Sequence, residues 1–365
     1  MDGTNAFRAA EKRFKRYKDG RGDTALPDAI DFHFPEANTP ANRGLIHPIT
    51  VDKGAPAWLR DVRVYGIRGV DGFRFICNPF STDAQLGWTR QALQSWAEPP
   101  SITNLSTPTG CRDLWASHRQ DACKSLLSRL SWATLGYHYQ WTPRCYSKEQ
   151  RSPFPPELGQ LAAELASVAG CQLRAEAAIV NYYHANSTMG GHRDDAEPFQ
   201  GAPIVSISLG LSAVYLLGGL TKEQSPHAML LRSGDVVVQG GASRGFVHGV
   251  PRVLADTLPT AILAVEDEAS VADPAAANVA EGAGGALAPD ATEMVEVARW
   301  LREHRLNVNV RQVRQPAQCN MCRRWAGWLE CAEVQPSIGY RSGAGYRSDA
   351  GYRSDAGCCQ PCSHG

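Results

Sequence analysis

After Ala175 the apolar residues of this chain recur at alternate positions. That period puts one row of side chains on each face of an extended strand. Short strands are predicted at Ala177–Tyr183, Ile204–Leu209, Ala213–Leu217, Ala228–Leu231, Val236–Gln239 and Thr260–Val265. Gly218-Gly219, Ser233-Gly234-Asp235 and Gly240-Gly241 supply turns between them. Elsewhere the spacing is helical. Phe7, Ala10, Phe14 and Tyr17 share one face of a basic segment over Ala6–Lys18. Leu86, Trp88, Ala92, Leu93 and Trp96 are the apolar residues of Thr82–Trp96, with Thr82 or Asp83 as its cap. Leu158, Leu161, Leu165 and Val168 face inward over Pro156–Gly170, and Met294–His304 forms a further short helix. Gly72–Cys77 reads as a strand, and Trp132–Trp141 as a strand with its exit loop. Many short strands with such turns argue for a sandwich or barrel.

The most regular stretch is Arg305-Leu306-Asn307-Val308-Asn309-Val310-Arg311. As a strand it puts two guanidiniums and two amides on one face and an apolar row on the other. One reading is a half-exposed strand with its arginines in solvent. The other is an inward polar face awaiting an anion, because a buried Arg needs a partner and grips carboxylates in bidentate fashion. Two further stretches support the second. His192 and Asp194 lie two apart, so in an extended chain their side chains point the same way, and His248 is a distant third ligand. Two His and one carboxylate form the facial triad of non-haem Fe(II) oxygenases. A small dicarboxylate beside such a site is what 2-oxoglutarate would provide. The fold expected is α+β: a double-stranded β-helix of jelly-roll type, with an N-terminal helical and strand extension and a disordered C-terminal tail.

Composition narrows the picture. The chain has 365 residues and zero formal net charge, so a nucleic-acid role has to rest on local basic patches. No apolar run reaches the length of a membrane span, and no apolar core of a secretory signal is visible near the start. An odd cysteine count, scattered through the first half, suits a reducing intracellular compartment without a disulfide framework. The basic segment at Ala6–Lys18 has three readings: a solvated helix docked by its Phe residues, a phosphate-binding helix, or a mitochondrial targeting helix, against which Glu11 and Asp2 count. His138, between Tyr137 and Tyr139, reads as a loop or substrate-pocket residue. His184 could likewise be mistaken for a ligand, and His227 precedes a strand and has no motif partner. Trp132, Tyr139 and Trp141 suit either base stacking or core packing. Cys319/Cys322 and Cys359/Cys362 have the gap of a zinc knuckle, but a hexapeptide repeat beginning at Gly339 separates them.

The segments NYYHANSTMGGHRDDAE, SISLGLSAVYLLGGL, MLLRSGDVVVQGGASRGFVHGVPRV and RLNVNVRQV resemble the AlkB family of Fe(II)/2-oxoglutarate dioxygenases, in its AlkB homologue 1 branch. FRAAEKRFKRYK, GFRFICNPF and SWATLGYHYQW resemble that branch too, so the likeness runs from Phe7 to about Val313. The resemblance implies that His192, Asp194 and His248 bind iron. It implies that Asn181 and Tyr183 contact 2-oxoglutarate, that Arg305 anchors its distal carboxylate, and that Asn307 and Arg311 complete the cofactor pocket. It further implies oxidation of methyl groups with O2, releasing succinate, CO2 and formaldehyde. In bacterial members an acidic residue two positions after the metal Asp contacts the base. Here that position is Ala196, so no such contact carries over. Asp195 and Glu197 flank it, with an orienting role and a solvent-exposed one both open.

The resulting expectation is an N-terminal extension over 1–130, a dioxygenase domain over 131–314 with a flexible insertion at 267–292, and a disordered Cys-containing tail over 315–365. The substrate expected is methylated nucleic acid, with tRNA or other RNA favoured and DNA second. The chain is expected to act as a monomer inside the cell, with nucleus, mitochondrion and cytoplasm all open. The alternatives are an oxidase of protein residues such as histone lysine, and a nucleic-acid-binding protein with a vestigial site.

Overall fold

The alternating segments pair into two antiparallel sheets. The structure is a computed structural model that describes residues 5–16, 26, 28–105, 113–121, 126–271 and 291–315. The cysteine pairs, the hexapeptide repeat, Tyr17 and Lys18 lie outside these residues.

The strands are β1 (Ile46–Ile49), β2 (Val64–Ile67), β3 (Val70–Ile76), β4 (Ile102–Thr103), β5 (Trp132–Gln140), β6 (Cys145–Arg151) and β7 (Ala177–His184). They continue as β8 (Met189–His192), β9 (Ile204–Gly210), β10 (Ala213–Leu217), β11 (His227–Leu231), β12 (Val236–Gln239), β13 (His248–Val253) and β14 (His304–Arg311). The helices are α1 (Ala6–Arg16), α2 (Pro40–Leu45), α3 (Thr82–Gln91), α4 (Leu114–Gln120), α5 (Pro156–Val168), α6 (Thr260–Val271) and α7 (Ala291–Leu301). A π-helical turn over Ala92–Trp96 continues α3.

The major sheet runs β1-β2-β3-β12-β9-β14-β7-β5-β4, with β6 paired to β5. The minor sheet runs β11-β10-β13-β8. Three apolar layers hold them. Leu306, Val308 and Val310 of β14 pack with Leu93, Leu165 and Leu301 under the helices on one face of the major sheet. Phe73, Phe75, Tyr215, Leu217 and Met229 lie between the sheets. Phe7 and Phe14 of α1 cover Val214, Leu216 and Leu230 on the outer face of the minor sheet. The polar row of β14 therefore turns inward, and Arg305 is completely buried, so the half-exposed reading of that strand is excluded. The first three strands pair into the same sheet as the catalytic-half strands, through β3 and β12.

Four expectations need correction. Thr260–Val265 is the start of α6, not a strand. Its short apolar run suits either period, but Ile262 and Leu263 donate backbone hydrogen bonds to the Pro259 carbonyl, and the segment packs on α7. Asp267–Val271 extends that helix, and Ala291-Thr292 opens α7; the rest of the expected insertion lies outside the described residues. The cap of α3 is Ser81, whose hydroxyl accepts from the Ala84 N–H at 3.2 Å. His138 is a buried residue of β5, bonded through Nδ1 to the Thr134 hydroxyl at 2.9 Å, because its strand is covered on both faces.

Candidate metal centre and cofactor pocket

His192 ends β8 and His248 begins β13, and the register sets them directly opposite each other. Their ring centroids are 4.4 Å apart. His192 Nδ1 lies 3.0 Å from the Gly190 carbonyl, and His248 Nδ1 lies 3.2 Å from the Phe246 carbonyl. A carbonyl oxygen only accepts, so each Nδ1 carries a proton, which in the neutral ring leaves Nε2 as the lone pair free to ligate. Both Nε2 atoms lie 3.7 Å from a carboxylate oxygen of Asp194, in the loop after β8. The three ligand atoms all lie within 4.8 Å of one another, and no other such group of His, Cys, Asp or Glu occurs among the described residues. Two imidazoles and a carboxylate converging beside an open cleft fit a divalent ion of the non-haem iron type.

Electrostatics favour that state. Burial pushes the Asp194 carboxyl up, but the neighbouring positive charge, Arg311 foremost, outweighs it and holds the group well below the carboxylate range. Burial and the neighbouring His192 pull His248 down to about 4, against the opposing pull of Asp194, so its ring is neutral at physiological pH. Arg311 donates to Asp194 at 2.8 Å and to Glu197 at 3.0 Å. Arg244 donates to Glu197 at 2.8 Å and also to the Asp194 backbone carbonyl. Glu197 is thus a buried bridge between two arginines and not a solvent group, whereas Asp195 is exposed and meets Arg144 at 3.0 Å. Arg244 was absent from the sequence expectations. Its position between a Gly-rich turn and His248 is the only hint the sequence offers.

The cofactor candidates divide into two sets. Tyr183, Arg305 and Asn307 line one small cavity with all three triad residues. Asn181 and Arg311 line the neighbouring cleft, which His192 and Asp194 line as well. Arg305 donates to the Leu211 carbonyl at 3.2 Å and to the Ser208 hydroxyl at 2.8 Å, but its Nε is buried without a partner. Among the described residues it makes no ion pair with a carboxylate. Burial pulls it down to about 10, although Tyr183 and Asp235 oppose the shift. A buried cation with an orphaned donor, facing the triad, fits a dicarboxylate held there. Arg311 differs, since protein carboxylates already engage it. Asn307 also serves the scaffold, donating to the Ser206 hydroxyl at 2.8 Å. Tyr215, bonded to Gln239 at 2.6 Å, lines the same cavity and was not anticipated.

The larger cleft has a volume of about 890 Å³. Tyr139 and Trp141, edge to face at 4.9 Å, line it together with Leu220 and Lys222. Trp141 and Leu220 are among the few large apolar side chains left exposed among the described residues. Trp132 is half-buried and packs against the exposed Trp141 at 5.0 Å, so the aromatic group lies outside the buried core.

The sequence pattern of the 2OG-Fe(II) oxygenase superfamily matches residues 72–311. The chain is similar to the human protein "Nucleic acid dioxygenase ALKBH1", 37% identical over 69% of this chain and 71% of the relative. It is similar to the Arabidopsis thaliana "DNA N(6)-methyladenine demethylase ALKBH1A", 32% identical over 84% of this chain and 96% of the relative. It is also similar to the Schizosaccharomyces pombe "tRNA demethylase abh1", 28% identical over 86% of this chain and 97% of the relative.

Proposed function

Because this chain belongs to the 2OG-Fe(II) oxygenase superfamily, in its AlkB homologue 1 branch, we propose that it oxidises methyl groups on nucleic acid. The observation that carries the reading is Arg305, a fully buried guanidinium with no carboxylate partner, facing a His-Asp-His set. His192, Asp194 and His248 would hold Fe(II), and Arg305 with Tyr183 and Asn307 would hold 2-oxoglutarate, with Asn181 in the lining of the adjoining cleft. When bound, Fe(II) and 2-oxoglutarate use O2 to hydroxylate a methyl carbon, with release of succinate and CO2. A hydroxymethyl group on nitrogen then breaks down to formaldehyde and a free amine.

The protein's own residues supply the rest. Arg311 and Arg244 keep Asp194 ionised and fixed, and Glu197 balances both charges. Tyr139 and Trp141 offer faces on which a flipped base stacks. Arg144, Arg193 and Lys222 border the same cleft and suit the flanking phosphates. We take RNA, tRNA especially, as the favoured substrate and methylated DNA as the second, since relatives carrying each activity are similar to this chain. The proposal places the enzyme inside the cell as a monomer, in the nucleus, the mitochondrion or the cytoplasm. Among the described residues no helix is long and apolar enough to cross a membrane. The test is mass spectrometry of modified nucleosides in tRNA and DNA from cells with and without the protein. A methylated nucleoside that accumulates when the protein is lost supports the reading. Unchanged profiles in both pools, with altered lysine methylation on protein, would replace it.

A further inference from the structure

We propose that Glu11, on the N-terminal helix, is a positioning residue for the metal ligand His192. The proposal rests on the reading of His192 as a ligand. Strand β8 has only four residues and lies at the edge of the minor sheet. It pairs with β13 alone, through two registered positions with a bulge between them. Its outer edge therefore has no ladder to hold it, and short edge strands open easily. Yet this strand sets His192 twice over. The ring is aimed by the Gly190 carbonyl, and the backbone leading into the ligand is the Gly191 peptide. The Gly191 N–H donates to Glu11 Oε1 at 2.5 Å, across 180 residues of sequence.

Helix α1 is seated so that this contact is enforced. The Phe7 ring is fully buried against the strand. A Cβ on Gly191 would come within 2.5 Å of that ring, and one on Gly218 within 2.9 Å, so both glycines form the seat. The Phe7 N–H donates to the Lys222 carbonyl at 2.9 Å, and Asn5 Oδ1 accepts from the Arg8 N–H at 2.8 Å. Glu11 lies one turn on from Phe7, on the same side of the helix. The carboxylate thus does for β8 what a neighbouring strand would do, at the residue before the ligand. His192 needs this most, since its side chain is 36% exposed against 12% for His248.

The test measures Mn(II) binding by the full-length protein, read from the electron paramagnetic resonance signal of free Mn(II), alongside hydrogen exchange at the Gly191 amide. Glu11→Ala should bind Mn(II) roughly ten-fold more weakly, with faster exchange at Gly191. Glu11→Gln should restore both, because a carboxamide oxygen still accepts. A role confined to helix packing would lower the melting temperature of Glu11→Ala and leave Mn(II) binding where it was. Asp194→Ala separates the proposal from its premise. If Asp194→Ala loses Mn(II) while Glu11→Ala binds it like the wild type, the positioning role is wrong. If Asp194→Ala also binds like the wild type, the metal assignment itself falls. Exchange at Gly191 in the wild type, needing no variant, is expected to be slow; an open-edge rate would overturn the proposal alone.

Discussion

Replacing Arg305 with methionine separates the cost of a buried charge from its use. The guanidinium is fully buried on β14, with two neutral acceptors and an unpartnered Nε. Burial pulls it from 12.5 to about 10. For a base, a depressed value means that the fold disfavours the charged form, and the penalty persists at every pH below about 10. That shift corresponds to roughly 3 kcal/mol. Arg305→Met removes the charge and keeps most of the volume, so the apo protein should melt at the same temperature or higher. Binding should go the other way. Truncating one partner of a buried charge pair costs about 2–5 kcal/mol, or roughly thirty-fold to a few thousand-fold in affinity. The assay is thermal melting of the Mn(II)-loaded protein with and without 2-oxoglutarate. A ligand at one hundred times its Kd stabilises the wild type by about 2.7 kcal/mol, and the variant should show at most about a third of this shift at the same concentration. A variant that keeps the full shift, or whose apo form melts many degrees lower, would refute the reasoning.

Glu197→Gln should destabilise the fold by about 3–5 kcal/mol, because Arg244 and Arg311 lose their shared buried counter-charge; urea denaturation measures it, and a loss below about 1 kcal/mol would be inconsistent with that bridge. His304 stacks on Trp300 at 4.1 Å, and burial pulls it down to about 4. Its folded value lies below the unfolded 6.5, so its stabilisation is complete above pH 6.5 and is lost as pH falls from there towards 4. Between pH 7 and pH 5 the wild type should lose about 2 kcal/mol from this group, a loss that His304→Asn should lack in denaturant titrations at the two pH values. Lys12→Glu with Lys15→Glu, both exposed on α1, should weaken tRNA binding across sequences and lower the salt slope by about one for each phosphate no longer neutralised. An unchanged slope in filter-binding titrations would confine α1 to packing against the minor sheet.

The parts of the site that are legible in sequence are those whose geometry is local. The Arg305–Arg311 stripe is readable because period two assigns its faces without any partner strand, and the structure buries Leu306, Val308 and Val310 as that period requires. His192 and Asp194 lie two residues apart, at the end of β8 and in the loop just after it, so their closeness is a property of the local chain. What is not readable depends on residues distant in sequence. Glu197 meets Arg311 across 114 residues and Arg244 across 47, and no spacing rule links such positions. Strands β8 and β13 escape the period because they are short, carry glycine and are aligned by a bulged register. The run at Thr260–Val265 misleads because six apolar-rich residues satisfy both periods, and packing on α7 decides between them. In α1 the inward Phe7 and Phe14 are visible, but Glu11 looks like one more charge in a basic helix. Only the open edge of β8 gives it a role.

The most direct test of the central claim is the stoichiometry of turnover on a defined substrate. Purified protein with Fe(II), 2-oxoglutarate and O2 would be given a structured tRNA carrying a single methylated base, or the same tRNA unmethylated, with succinate and formaldehyde measured together. Equal amounts of succinate and formaldehyde are expected with the methylated RNA, far less succinate without the methyl group, and neither product from Asp194→Ala. Equal succinate from Asp194→Ala, or none from the wild type on any methylated RNA or DNA, would contradict the claim.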